Sequence, residues 1–150
     1  MNIAIPDLYQ LIEESFQNNK TVVISLKGKS MYPFLFDAED KIMLEKATII
    51  KKRDIVLYLR DNGNFVVHRV IKIKGDNYYI TGDNQYKLEI VKRENIKGKV
   101  IQLIHLKKTI LVSNKWYRFK VYLWCLNLFV RRCILKIMHT FSKKGTYKQN

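Results

Sequence analysis

Between residues 21 and 106 the chain is a succession of short β-rich runs broken by turn signals. The runs cover residues 21–26, 41–44, 54–59, 65–73, 78–81 and 98–106. Asp61-Asn-Gly-Asn separates the third run from the fourth, and Gly75-Asp-Asn the fourth from the fifth. Both turn sequences are hairpin signals, because Asn, Asp and Gly enter the left-handed backbone region at little cost. Short strands at close spacing predict a mainly β, antiparallel domain over residues 21–106. Ahead of it, Asp7 precedes Leu8, Leu11, Ile12 and Phe16, a helical spacing with an acidic start. This predicts a short N-terminal helix over 7–18, within an N-terminal segment 1–20.

The pattern changes at Asn114. Trp116, Phe119, Leu123, Leu126, Val130, Ile134, Ile137 and Phe141 recur at spacings of three and four, the stripe of one long C-terminal helix. Tyr117, Trp124, Leu128 and Leu135 add a second apolar sector, so the middle of that helix is apolar nearly all round. Charge separates this extension, residues 107–150, from the body. All 13 acids lie at or before Glu94, and residues 107–150 hold 11 Lys and Arg with no acid. Of the formal net charge of +15, the extension therefore carries +11 and the body +4. Three readings of residues 115–141 follow: a helix packed on the body with a solvated basic face, an interfacial helix meeting anionic lipid, or a nucleic-acid contact. The last is the weakest, because the basic residues sit at the helix ends and the surface between them is apolar. No run reaches the roughly 20 apolar residues needed to span a bilayer. The expected location is cytoplasmic, peripheral at the membrane surface.

Cysteine and histidine usage is sparse. Cys125 and Cys133 stand eight apart in the extension, and His68, His105 and His139 are scattered. This is neither a disulfide framework nor a metal constellation, so no metal and no cofactor are expected.

Chemistry has few places to reside. Ser30 lies in Gly28-Lys-Ser-Met-Tyr-Pro, a tight loop leaving a strand, and a serine hydroxyl needs an adjacent base to become a nucleophile. His68, in Val66-Val-His-Arg-Val, is the one good base in the body. Strand alternation puts Val67 and Arg69 on the face opposite it. Asp83 and Glu89, in Gly82-Asp-Asn-Gln-Tyr-Lys-Leu-Glu, are acids that could hold the imidazole in one tautomer. Taken singly, each feature has an ordinary structural explanation as a turn serine, a satisfied strand histidine or a Gly-Asp turn.

Their order is more specific. Gly28-Lys-Ser-Met-Tyr-Pro-Phe-Leu, Glu39-Asp-Lys-Ile, Arg53-Asp-Ile-Val-Leu, Val67-His-Arg-Val-Ile, Thr81-Gly-Asp-Asn and Ile96-Lys-Gly-Lys-Val together resemble the signal peptidase I and LexA-like serine peptidase superfamily across residues 21–106. Histidine at the base position looks like the archaeal and endoplasmic-reticulum type of signal peptidase. The resemblance implies a LexA/signal-peptidase-like antiparallel β fold and a serine endopeptidase that removes a leader or signal-like segment from a peptide or protein precursor. It implies Ser30 as nucleophile, His68 as general base, and Asp83 and Glu89 as the acids that follow. It also implies an oxyanion hole of backbone groups at Ser30 and Gly28, and substrate contacts at Met31 and Pro33. Residues 22–26 and the segment before His68 would pair with an extended substrate. Glu39 and Arg53 stand where the superfamily has glycine. No N-terminal membrane span is visible, and the segment before the first strand is short for a DNA-binding domain, so a compact stand-alone relative is expected. Two rivals remain: a catalytically inactive member of the fold that binds membrane or nucleic acid, and a lysine-using protease with Lys29 or Lys41 beside Ser30.

Overall fold

The computed structural model describes residues 5–36, 40–106, 108–126, 131 and 133–135, with residues 5–8 described by backbone alone. Helix α1 (Ile5–Gln17) leads into strands β1 (Val22–Ser25), β2 (Asp40–Lys46), β3 (Ile55–Leu59), β4 (Phe65–Lys74), β5 (Asn77–Thr81), β6 (Glu89–Lys92), β7 (Ile96–His105) and β8 (Lys108–Leu111), followed by helix α2 (Lys115–Cys125). The strands form one antiparallel sheet in the order β1-β2-β7-β3-β4-β5-β6, with β8 paired to β7. The mainly β antiparallel expectation holds, and the two hairpin turns fall where the Asp-Asn-Gly and Gly-Asp signals put them, between β3 and β4 and between β4 and β5.

The middle of the sheet is buried on both faces. On one face Ile12 and Phe16 of α1, one turn apart, pack with Ile42, Leu44, Leu57, Val100 and Leu103. Tyr117 and Val121 of α2, also one turn apart, join this same core. The other face gathers Val56, Tyr58, Val70, Ile80 and Val91 around its own smaller core. Strands β3 and β4 run through the middle and send alternate residues into each. That alternation dictates where His68 and Arg69 go.

The long C-terminal helix is corrected. The described helix is α2, Lys115–Cys125, 11 residues long. Asn114 caps it, its side-chain oxygen accepting the backbone N–H groups of Trp116 at 2.9 Å and Tyr117 at 3.2 Å, a cap worth about 1 kcal/mol. At its end the Leu126 N–H turns to the Leu123 carbonyl, three residues back rather than four. Arg131 and residues 133–135 are again helical. Val130, Ile137 and Phe141 of the anticipated stripe lie outside the described residues. Two strands also escape the sequence pattern. All four residues of β8 are exposed, so they carry no alternation to read, and β6 buries only Val91. Among the described residues no helix is long and apolar enough to cross a membrane.

Candidate active site

Ser30 lies in the loop that leaves β1. Gly28 takes φ +93°, a left-handed backbone that glycine enters freely. Beyond it the chain coils tightly, with Tyr32 N–H bonded to the Lys29 carbonyl and Leu35 N–H to the Met31 carbonyl. Met31 and Leu35 are buried and anchor this coil in the core beneath, while Ser30 remains partly exposed above it. The loop is clamped from outside by the turn after β5. Asn84 N–H donates to the Ser30 carbonyl at 2.7 Å and its side-chain amide to the Lys29 carbonyl at 3.1 Å. Gly82 makes this approach feasible. A Cβ there would stand 2.5 Å from the Ser30 carbonyl oxygen and 3.1 Å from His68 Nε2. One absent methyl group thus lets the serine loop and the histidine ring meet at a single point.

His68 and Ser30 line the same cavity, of about 430 Å³, walled by Ile24 and Leu26 on one side and Leu57, Phe65 and Val67 on the other. It lies between edge strand β1 and the first half of β4. Among the described residues no hydrogen bond joins the Ser30 hydroxyl to His68, and none takes up the Ser30 backbone N–H. Catalytic hydrogen bonds are often loose before substrate binds. His68 is 1% exposed. Burial, with Arg60 and Arg131 adding to it, lowers its pKa to about 4 against the opposing pull of Glu89 and Asp83. At neutral pH the ring is uncharged and can accept a proton.

The two acids go to opposite faces of β4. His68 projects with Val56 and Tyr58, its neighbours across the β3–β4 ladder, where Val56 pairs with His68 and Tyr58 with Val66. The Tyr58 hydroxyl oxygen is 3.1 Å from His68 Nδ1, and the same hydroxyl donates to Glu89 Oε2 at 3.0 Å. Glu89 Oε1 is 3.7 Å from His68 Nδ1. Arg60 grips both Glu89 oxygens, through Nε at 2.8 Å and through Nη2. Burial alone would raise the Glu89 pKa, but the hydrogen bonds from Arg60 and Tyr58 outweigh it and keep the group below its ordinary value, ionised. Burial and the Glu89 charge both push the Tyr58 phenol up, so it stays protonated.

Asp83 faces the other way. It is fully buried and holds Arg69, itself fully buried, in a two-pronged pair, Nε to Oδ1 at 2.8 Å and Nη2 to Oδ2 at 2.6 Å. Burial opposes the Arg69 charge, and the Asp83 carboxylate more than restores it. Arg69 also donates to the Arg53 carbonyl at 2.9 Å and to the Tyr117 hydroxyl at 3.1 Å. Trp124 of α2 donates its indole N–H to the Asp83 carbonyl at 3.1 Å, and Arg131 donates to the Gly82 carbonyl. The Gly82-Asp83 turn is therefore held by α2 and the segment after it.

Of the anticipated residues, Ser30, His68 and Glu89 converge, the last through Tyr58, whereas Asp83 does not touch the imidazole. Met31 lines the cavity from below, and Pro33, half-buried after a cis peptide bond, is not among the lining residues. Lys29 and Lys41 are exposed and do not line the cavity. Arg53 takes φ +76°, so the position where the superfamily has glycine is a left-handed turn here too. Glu39 lies outside the described residues. Tyr58 and Arg60 were missed from sequence. Two-residue alternation from Val56 across the Asp-Asn-Gly hairpin was the signal that would have placed Tyr58 on the face of His68. Among the described residues there is no cluster able to hold a metal ion.

A search of curated proteins returns no match to this chain. The family model described as Peptidase S24-like matches residues 2–101, from α1 through most of β7 and across Ser30, His68, Asp83 and Glu89. That match spans two thirds of the chain, and the protein belongs to the Peptidase S24-like family, a family of serine-type peptidases.

Proposed function

We propose that the protein is a serine endopeptidase working by a Ser–His mechanism of the signal-peptidase type, which cleaves a leader or signal-like segment from a precursor. The observation that carries this reading is the shared cavity of Ser30 and His68, with a buried, neutral imidazole brought against the serine loop at Gly82. As the Ser30 oxygen attacks a peptide carbonyl, His68 takes its proton. The resulting imidazolium gives that proton to the leaving amine as the C–N bond breaks, and water then hydrolyses the acyl-enzyme by the same route. The Ser30 N–H supports an oxyanion site, with Gly28 allowing the loop to turn toward it. Residues on both walls of the cavity come from extended segments, β1 and the start of β4, which suits a substrate bound as a β-strand.

Labelling with a fluorophosphonate, read by intact mass, tests the mechanism without knowledge of the substrate. Wild type is expected to gain one adduct, at Ser30, and Ser30→Ala and His68→Ala none. Undiminished labelling of Ser30→Ala overturns the assignment. Cleavage profiling on a peptide library then defines the residues around the cut.

A second property, peripheral membrane contact, is favoured by the outward face of α2. Trp116, Phe119, Leu123 and Leu126 are 74, 52, 52 and 58% exposed, although they form an apolar stripe at helical spacing. Lys115, Arg118 and Lys120 flank that stripe. Aromatic side chains bordered by cations fit an anionic lipid surface better than a nucleic acid, whose phosphates need an unbroken basic track.

A further inference from the structure

We infer that Tyr58 is the positioning residue of this site: its hydroxyl relays the Glu89 carboxylate to His68 Nδ1 and fixes the imidazole in the tautomer whose bare Nε2 faces the serine loop. The inference rests on the Ser–His reading above and deepens it. A phenol has one hydrogen to give. Ionised Glu89 can only accept, so the Tyr58 proton points to Oε2, 3.0 Å away. The phenol oxygen is then left as an acceptor toward Nδ1 at 3.1 Å, and Nδ1 must carry the ring's hydrogen. In the reverse arrangement a hydroxyl lone pair would face a carboxylate across 3.0 Å with no proton between them. Arg60 enforces the direction by holding Glu89 ionised through both of its carboxylate oxygens. Among the described residues Nε2 makes no hydrogen bond; it lies against Gly82, whose missing Cβ opens the way to the serine loop. When the ring takes a second proton during catalysis, Nδ1–H strengthens its bond to a phenol already polarised by a carboxylate. The orienting role of an acid is thus performed through a tyrosine, because Asp83 is committed to Arg69 on the opposite face and Glu89 stands 3.7 Å from Nδ1.

The experiment uses the full 150-residue chain. Nitrogen-15 NMR of the His68 ring in the wild-type protein reads the tautomer, with Nδ1 protonated and Nε2 bare as the expected result. An Nε2–H ring overturns the relay whether or not Ser30 reacts. Tyr58→Phe keeps the ring and its burial and deletes the hydroxyl. Its Ser30 labelling by fluorophosphonate should slow about 10²-fold, the scale of a misplaced catalytic group, and the His68 tautomer should become mixed. Glu89→Gln should slow labelling in wild type but add little to Tyr58→Phe, since both act through one relay. Equal labelling of wild type and Tyr58→Phe overturns the relay alone. Absence of labelling in wild type overturns the Ser–His reading, and the relay with it.

Discussion

At His68, burial sets both the chemistry and a stability cost. The ring is held near pKa 4 in the fold, against about 6.5 in an unfolded chain. Between those values the unfolded state binds the extra proton, so stability falls as pH drops from about 6.5 to 4 and is insensitive to this group above that window. The full effect is on the order of 3 kcal/mol. Thermal melting between pH 7.5 and 4.5 checks it, because His68→Gln should flatten that part of the curve; an unchanged slope would mean the ring is solvated. The same burial predicts that fluorophosphonate labelling stays level down to about pH 5, below the point where an ordinary histidine would already be protonated. Asp83 makes a different prediction. Asp83→Asn leaves Arg69 charged and without its partner in the interior, which should cost about 3–5 kcal/mol in chemical denaturation. A cost below 1 kcal/mol would show that the pair is solvated.

Elements matter here as clamps. The Ser30 loop owes its position to the turn after β5, and that turn is held from behind by Trp124 of α2 and by Arg131. Gly82→Ala tests the front of this clamp. Its methyl group would sit 2.5 Å from the Ser30 carbonyl oxygen, a backbone atom that cannot rotate aside, so the loop must move. Displacement of the Ser30 hydroxyl by even 1 Å is expected to slow its labelling about 10²-fold while the sheet still melts cooperatively. Labelling at the wild-type rate would show that the loop is not seated on Gly82. Beside it, where α2 meets the Arg69–Asp83 pair, Tyr117→Phe deletes one buried hydrogen bond to Arg69 and should cost about 1 kcal/mol in denaturant unfolding.

On the scale of the whole molecule, charge and exposed apolar side chains fall in one stretch of the sequence. Residues 107–150 carry +11, and within them lies a helix whose inner face, Tyr117 and Val121, is buried in the body's core and whose outer face is bare. Exchanging Trp116 and Phe119 together for serine removes two large exposed aromatics without touching the buried face. Flotation with vesicles containing 30% anionic lipid should then show about 10²-fold weaker partitioning, from roughly 3 kcal/mol of lost apolar transfer. Binding by wild type should also weaken with added salt, as screening predicts. Equal flotation of the two proteins would remove α2 from the membrane contact.

The sequence by itself determined the antiparallel β body, its two hairpins and the α1 stripe, because each is encoded locally by period or turn chemistry. It also made α2 amphipathic on two sides. Only tertiary structure decided which acid lies beside His68. Asp83 and Glu89 are equally plausible along the chain, yet alternation in β4 sends Arg69 and His68 to opposite faces, and each acid follows the partner on its own face. Tyr58 enters through a diagonal contact between β3 and β4; alternation carried across the hairpin places it on the His68 face, but only the folded ladder brings its hydroxyl to Nδ1. The strand at Lys108–Leu111 was decided by its ladder with β7, since it has no buried residue to betray it, and the end of α2 at Cys125 is hidden in the sequence because the apolar stripe continues past it.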